Sequence, residues 1–315
     1  MSDTLPALPL EAWEPTKNTL HLWTQIVGKI QLASTAPVNH WWNATFRVDE
    51  HGYRTGRMER DGVALTISFD LVGHRLLVRT AKAEHELPLR DGLSVARFHN
   101  DLFALLRGLG FEAGIKGVPY GVPMTTPFAQ DTEHASYDRA RVEDFRRALE
   151  WVADVFWEFR GWFDGKAGPV QLFWHSFDLA TARFSGRRAP QMRDAGAVAR
   201  EAYRDEIISF GWWPGDPAMP SPAFYSYIHP EPESLTGRIL RPDAARWVPM
   251  DPDGNIHQAR LDWDVVRTSA DPRGTLLEFL QSAYAAAAVT ASWPHERLRS
   301  SWCPERGRIH PARAV

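Results

Sequence analysis

Hydrophobic positions near the N-terminus recur at helical spacing. Within TKNTLHLWTQIVGKIQLA (16–33), large apolar residues follow one another at intervals of three and four: Leu20, Trp23, Val27 and Ile30. Side chains with this spacing lie on one face of a helix. The pattern therefore predicts an amphipathic helix with a single buried stripe.

The next part of the chain alternates apolar and polar residues, as half-buried strands do. Four apolar residues alternate with three polar ones: Leu65, Ile67, Phe69 and Leu71, with Thr66, Ser68 and Asp70. Glycines at 62, 73 and 92 offer turns between short apolar runs, so we predict an antiparallel meander. Ser94 then predicts the N-cap of a second helix, which Gly108 and Gly110 close.

The segment 114–130 is rich in proline and glycine, so it cannot form a regular helix. We interpret it as a domain boundary or a lid. Beyond it, apolar residues repeat at helical spacing over seven positions: Val142, Phe145, Leu149, Val152, Phe156, Phe159 and Phe163. They predict a long helix, capped by Ser136 or Asp138, that is buried on more than one side.

The C-terminal half predicts more strands, a hairpin around 252–254 and a final helix at about 273–291. The predicted strands lie within 169–177, 205–215 and 222–232. The fold class we expect is α+β, with antiparallel sheets and one long buried central helix. The expected divisions are an N-terminal half (1–125), a C-terminal half carrying the site (126–295) and an Arg-rich tail (296–315).

Composition narrows the function classes. The chain has 315 residues and a formal net charge of −3, so no global charge favours nucleic acid or an anionic membrane. The single cysteine, Cys303, leaves no internal disulfide and fits a reducing compartment, and we expect a cytoplasmic protein. No signal peptide or membrane span is expected. Fourteen tryptophans fit cores, and they also fit walls against planar ligands.

Familiar catalytic signatures are missing. The glycines at 108–114 follow a predicted helix and are wrongly spaced for a dinucleotide loop. Residues 161–166 are one residue short of a phosphate-binding loop, so we expect no nucleotide cofactor. The sequence also lacks the Gly-x-Ser-x-Gly elbow and the His-Glu-x-x-His zinc motif.

Three histidines have a carboxylate nearby in sequence: His134, His175 and His229. A neighbouring acid orients an imidazole for proton transfer or for metal binding. We therefore predict His175, Asp178 and His134 as catalytic residues. His134, His175 and His229 could instead converge on one divalent ion, Fe or Zn. Purely structural roles for these histidines remain open, and His40 is a weaker fourth candidate ligand.

Other side chains are candidates for substrate binding. In a regular strand, Tyr225 and Tyr227 share one face with His229, which suits a pocket wall. The indoles of Trp174 and Trp42 could line the same kind of site. Arg187, in an Arg-rich turn, could clamp an anion, although arginine there is equally explained by a helix C-terminus.

The stretch LFWHSFDLATARFSGRRAP (172–190) combines several of these candidates. Strand alternation stops near Phe177, and residues 178–184 favour a short helix or a tight hairpin. If Ser176 caps that helix, His175 lies at a strand-to-helix junction, where backbone N–H groups favour an anion.

Six blocks of the sequence are distinctive: LPLEAWEPTKNTLHLWTQIVGKI, PVNHWW, DTEHASYD, FWHSFDLATARFSGRRAP, WPG and AFYSYIHPEP. Together they resemble DUF5996, an uncharacterised bacterial family of unknown function. The resemblance covers roughly residues 5 to 295 and implies one integrated protein. It implies no reaction and no catalytic residue.

Two functions remain open from the sequence. The first is a cytosolic enzyme that acts on a small, planar or aromatic molecule through a His/Asp acid–base site or a mononuclear metal site. The second is a non-catalytic protein that binds a small molecule or a partner through a Trp-rich pocket. In both, we expect no nucleic-acid and no membrane partner.

Overall fold

The computed structural model describes residues 4–192, 195–217 and 219–301. Helices and antiparallel strands follow one another along the chain, so the fold class is α+β, as predicted. Cys303 and most of the Arg-rich tail lie outside the described residues.

The chain divides into two compact units whose segments interleave in sequence. The first comprises the described parts of Met1–Trp151, Gln171–Leu179 and Trp213–Pro222. The second comprises the described parts of Val152–Val170, Ala180–Trp212 and Ala223–Val315. The first unit thus continues past residue 125, where the sequence predicted a boundary. Residues beyond 125 are hydrogen-bonded to earlier ones: the carbonyls of Asp131, His134 and Ala135 accept from the N–H groups of residues 96, 95 and 92.

The first unit contains the predicted meander. Its elements are α1 (Leu10–Ser34), β1 (Thr45–Asp49), β2 (Gly52–Arg54), β3 (Met58–Arg60), β4 (Val63–Asp70), β5 (Arg75–Thr80), β6 (Glu84–Pro88), α2 (Val95–Gly108) and β7 (Gln171–Phe173). The strands pair antiparallel in the order β7-β1-β2-β4-β5-β6, and β3 also pairs with β4. Ser94 caps α2 as predicted, since its Oγ accepts from the Arg97 N–H at 3.1 Å.

The long helix α3 (Arg139–Gly161) starts in the first unit and ends in the second. Asp138 caps it, because its Oδ1 accepts from the Ala140 N–H at 2.8 Å. The predicted apolar stripe is buried from Val142 to Phe159, whereas Trp157 on another face is 48% exposed.

The remaining elements lie wholly or mostly in the second unit. These are β8 (Asp178–Arg188), α4 (Ala197–Ala202), β9 (Asp205–Trp213), β10 (Ala223–His229), β11 (Arg246–Pro249), β12 (His257–Asp262), α5 (Trp263–Arg267) and α6 (Pro272–Thr290). The first two residues of β8 and the last residue of β9 belong to the first unit. The strands follow the order β11-β12-β10-β9-β8. The hairpin around residues 252–254 and the final helix are confirmed.

Helix α1 differs from its prediction. Every residue from Thr19 to Gln31 is buried, so the helix has no solvated face there. Four polar side chains spaced four residues apart share one side of α1: Lys17, His21, Gln25 and Lys29. We call this set the polar ridge. The prediction of a single buried stripe was wrong because other segments of the first unit cover the ridge.

Strand β8 corrects a second prediction. Residues 178–184 form neither a short helix nor a hairpin but the first part of an eleven-residue strand. Its first eight residues are all buried, so the apolar–polar alternation that reveals a half-exposed strand is missing. His175 therefore does not precede a helix N-terminus. It lies in the turn Trp174–Phe177 between β7 and β8.

Candidate functional site

The turn Trp174–Phe177 is fastened to the polar ridge through its backbone. Nε2 of His21 lies 3.1 Å from the Trp174 carbonyl oxygen and 3.2 Å from that of His175. Burial lowers the pKa of His21 to about 3, so the ring is neutral at neutral pH. Its Nε2 therefore carries the proton that the two carbonyls accept.

Gln25 ties the Pro/Gly-rich segment 114–130 to the same place. Its side-chain N–H donates to the Tyr120 carbonyl at 2.9 Å, and its Oε1 accepts from the Tyr120 N–H at 2.9 Å. A further contact of 3.3 Å joins Gln25 Nε2 to the His175 carbonyl. One buried amide thus holds both segments, and the Tyr120 ring lies 6.3 Å from the His175 ring.

A polar relay runs from His175 to a buried acid. Nε2 of His175 lies 3.4 Å from Oγ of Ser176, and that hydroxyl donates a short hydrogen bond to Oδ1 of Asp178. Asp178 is 5% exposed. The sequence predicted that Asp178 orients His175, and in the structure the Ser176 hydroxyl lies between them and contacts both.

Trp174 packs into a notch on α1. A Cβ added to Gly28 would lie only 2.2 Å from Cγ of Trp174, so the indole occupies the space that a side chain would need. The ammonium of Lys29 lies 5.6 Å from the centre of the Trp174 ring and 5.9 Å from that of Phe128. Both distances allow a cation–π interaction.

Phe177 closes the turn in a left-handed conformation, with φ of 62°. Such a φ is rare for an aromatic residue and persists only where packing holds it. Its ring is stacked between His21, at 4.9 Å, and Phe145, at 5.1 Å. The stacking holds this conformation and with it the position of His175.

A comparison of the sequence with protein-family models finds one family that covers nearly the whole chain. The model of a family of unknown function, DUF5996, matches residues 5–300. The chain belongs to DUF5996. No curated protein and no solved structure matches this DUF5996 chain.

The three predicted metal ligands, His134, His175 and His229, do not form a metal-binding group in the described part of this DUF5996 chain. Among residues 4–192, 195–217 and 219–301, no three His, Cys, Asp or Glu side chains form a group that could hold a metal ion. His134, His175 and His229 each have separate local surroundings, so the prediction that they converge on one ion finds no support. Within the same ranges, none of the helices is both long and apolar enough to cross a membrane.

His134 pairs with Asp131 and helps to hold the start of α2. Its Nδ1 lies 2.8 Å from Oδ2 of Asp131, which is 2% exposed. The carbonyls of Asp131 and His134 accept from the N–H groups of Ala96 and Val95 in the first turn of α2. The acid predicted beside His134 is confirmed, and the pair secures the start of α2.

We expect Asp131→Ala to lower the free energy of unfolding by about 2–3 kcal/mol, because buried donors lose a charged acceptor. Asp131 also accepts from the backbone N–H groups of Glu133 and His134. Glu133→Ala, at an exposed neighbour, is the matched control and should change stability by less than about 0.5 kcal/mol. Denaturant unfolding measures both. Equal losses in the two variants would contradict the assignment.

His229 lies on the predicted face of β10, but the acid close to it in sequence, Glu231, pairs with a different histidine. Tyr225, Tyr227 and His229 are half-buried and alternate with fully buried residues, as expected for β10. Glu231 instead bonds His257, at 2.8 Å from Nδ1. His229 lies against the ring of Tyr203, with 4.9 Å between ring centres, and its Nε2 is buried without a partner among the described residues.

The tyrosines form a wall within the second unit. Tyr225 and Tyr227 stack with 6.0 Å between ring centres, and the Tyr227 hydroxyl lies 3.2 Å from that of Tyr203. Gly211 on β9 makes room for Tyr225, since an added Cβ would lie 2.1 Å from that ring. This wall does not include His175, which belongs to the first unit.

Arg187 acts as a helix-end clamp. Its Nε donates to Glu206 at 2.8 Å, and its terminal nitrogens donate to the carbonyls of Ala291 and Ser292 just beyond α6. Arginine is favoured at such a C-terminus because it binds carbonyls that have no partner in the helix. The helix in question is α6 and not the short helix predicted at 178–184, which is part of β8. This role fits the geometry of Arg187 better than contact with a ligand.

Trp42 lies in the 3-10 segment Asn39–Ala44 and is half-buried. Its ring is 5.4 Å from that of His40, which is itself 5% exposed. His40 and Trp41 both have positive φ, at 57° and 62°, so the pair forms a tight local bend.

The polar ridge was not predicted from the sequence. Lys17, His21, Gln25 and Lys29 stand opposite the apolar stripe, and polar residues there ordinarily face water. Their strict four-residue spacing was the available signal. Only the covering segments show that this face is buried and supports the turn that carries His175.

Proposed function

We propose that this protein is a cytoplasmic enzyme that acts on a small, planar or aromatic molecule, with His175 as its acid–base group. One observation carries the proposal: the imidazole of His175, the hydroxyl of Ser176 and the buried carboxylate of Asp178 form a relay on a turn fixed by α1. An imidazole oriented by a buried acid is the usual arrangement for proton transfer.

The relay favours one tautomer of His175. Because Ser176 donates its proton to Asp178, its oxygen faces the imidazole as an acceptor. Nε2 of His175 then carries the ring proton, and Nδ1 carries the lone pair that can take a proton from a substrate. Burial lowers the pKa of His175, while the charge of Asp178 opposes that shift. The neutral, basic form therefore prevails at neutral pH.

Aromatic rings surround the imidazole and support a planar substrate. The rings of Trp174 and Phe173 lie 5.8 and 5.9 Å from His175, and the half-exposed Tyr120 lies 6.3 Å away. Flat aromatic surfaces bind planar molecules by stacking at little entropic cost. The single cysteine in 315 residues supports the cytoplasmic assignment.

The test uses purified protein and an extract of small metabolites, followed over time by mass spectrometry. We expect the wild type to consume one compound and release a product. His175→Gln should slow this conversion by about 10²- to 10⁴-fold, the usual contribution of a general acid–base group. His85→Gln, on the half-exposed face of β6, is the matched control and should react normally.

Two outcomes would contradict the proposal. Conversion at the wild-type rate by His175→Gln would remove His175 from the reaction. Depletion of one compound in equal amount to the protein, with no product, would favour the alternative of a non-catalytic binding protein.

A further inference from the structure

The second unit contains a cavity of about 500 Å³ where the end of strand β8 lies beside helix α4. Its lining includes three arginines, a tyrosine, a proline and a methionine: Arg188, Arg200, Arg204, Tyr203, Pro190 and Met192. Sites for small molecules are usually concave, with volumes of about 300 to 1,000 Å³. The cavity is therefore large enough for a small organic ligand.

The two segments that line the cavity are fixed to each other and to the sheet. The N–H group of Ala189 donates to the carbonyl of Arg204 at 3.1 Å. The hydroxyl of Tyr203 lies 3.2 Å from that of Tyr227 on β10, and the Tyr203 ring packs 4.9 Å from the ring of His229. The aromatic side of the cavity is thus held in place before any ligand binds, which lowers the cost of binding.

Asp205, next to the cavity, is shared by three cations. Its Oδ2 lies 2.7 Å from Nζ of Lys166. Its Oδ1 lies 2.9 Å from a terminal nitrogen of Arg188 and 3.9 Å from Nε of Arg204. The second acid of this region is Glu201, 3.3 Å from Arg204. The positive charges at this place therefore outnumber the carboxylates that the structure describes.

Arg200 adds a fourth cation. Its Nη1 donates to the carbonyl of Ala195 at 2.8 Å, and no carboxylate within 4–192, 195–217 and 219–301 forms an ion pair with it. A guanidinium carries five N–H donors, so one backbone bond leaves most of them available. The chain as a whole has a net charge of −3, so the excess of positive charge is local to this cavity.

The lining points to an organic anion and not to a bare ion. Arginine is suited to carboxylates and phosphates because its planar fork of N–H groups can bind two oxygens at once. The half-buried ring of Tyr203 and the flexible side chain of Met192 offer apolar contact on the same lining. A ligand that carries both an anionic group and an apolar part uses both kinds of surface.

We propose that this cavity binds a small organic anion, with Arg188, Arg200 and Arg204 holding its carboxylate or phosphate group and Tyr203 contacting its apolar part. The anion supplies the negative charge that the described acids do not. This site does not involve the proposed acid–base group, because its residues belong to the second unit and His175 belongs to the first.

The test follows the reaction of individual arginines with phenylglyoxal, measured by peptide mass spectrometry on the wild-type protein. The probes are phenyl phosphate and benzoate, with neutral benzamide and inorganic phosphate as comparisons. At ten times its Kd, phenyl phosphate or benzoate should slow the modification of Arg188 and Arg200 about tenfold, as mass action requires. Arg57 is the matched control: it is 66% exposed, against 70% for Arg188, and should react at an unchanged rate.

Variants test the cations separately by calorimetry with phenyl phosphate. Arg200→Gln should weaken binding about tenfold or more, as expected for loss of a charged donor. Arg188→Gln should weaken it about threefold, because its charge is already shared with Asp205. Both side chains are exposed, so these variants should fold normally. Arg57→Gln should bind as the wild type does.

Four results would overturn the inference. They are no protection of Arg188 and Arg200 by either aromatic anion, equal protection by benzamide, wild-type binding by both Arg200→Gln and Arg188→Gln, and binding of inorganic phosphate as tight as that of phenyl phosphate. The last result would mean that the cavity binds an adventitious ion only. Protection by phenyl phosphate but not benzoate, or the reverse, would support the site and identify which anionic group it takes.

Discussion

Gly28→Ala should lower the free energy of unfolding by about 3 kcal/mol, although alanine is the better helix former by about 1 kcal/mol. The added Cβ would lie 2.2 Å from Cγ and 2.6 Å from Cβ of Trp174. Rotation of the indole cannot relieve the second contact, because Cβ is attached directly to the backbone. The turn that carries His175 must therefore move away from α1.

Gly108→Ala is the matched control, since Gly108 is also helical and has open space where its Cβ would be. We expect that variant to be as stable as the wild type or slightly more stable. Denaturant unfolding gives both values. Equal stability of the two variants would show that Trp174 does not occupy the notch.

His21→Gln should remove much of the acid sensitivity of the fold. Burial lowers the pKa of His21 in the folded protein to about 3, whereas its ordinary value is 6.5. As the pH falls, His21 therefore takes up a proton in the unfolded chain before it does so in the folded protein. The stability that comes from neutral His21 is complete above pH 6.5 and is lost between pH 6.5 and pH 3. At 1.36 kcal/mol per pH unit, about 2 kcal/mol disappears by pH 5.

The measurement is the free energy of unfolding at pH 7 and pH 5 for wild type and variant. Lowered pKa values of His175 and His229 add to the acid sensitivity, so the decisive quantity is the difference between the two proteins. His21→Gln keeps an N–H donor for the turn carbonyls and should lose about 2 kcal/mol less than the wild type. His85→Gln should behave as the wild type. Identical losses in wild type and His21→Gln would mean that His21 is not held neutral.

The site was predicted less well than the elements around it. His175 and Asp178 were identified because an imidazole near a carboxylate is visible in a sequence. Ser176, which joins them, was interpreted as a helix cap, because the buried strand β8 lacks the alternation that marks a strand. Lys29 was not identified at all, since one lysine on a helix gives no sign of burial.

The candidates that had several explanations were resolved by their partners. Arg187 has its donors bonded to Glu206 and to the end of α6, and His134 is joined to Asp131 at the start of α2. In the sequence these arrangements are indistinguishable from a ligand clamp and a catalytic pair. Distances between residues that are far apart along the chain are needed to tell them apart.

Local periodicity alone determined the α+β class, the helical character of α1 and α3 and the alternating burial of β10, because these depend on neighbours within a few residues. In β4 the predicted polar face is buried as well, at Ser68 and Asp70. Whether the polar side of α1 meets water or protein was decided only by the tertiary structure. The reason is physical: burial of Lys17, His21, Gln25 and Lys29 depends on segments near residues 120, 128 and 175, and those contacts form only on folding. The same packing placed Lys29 over the ring of Trp174, in the turn that carries His175.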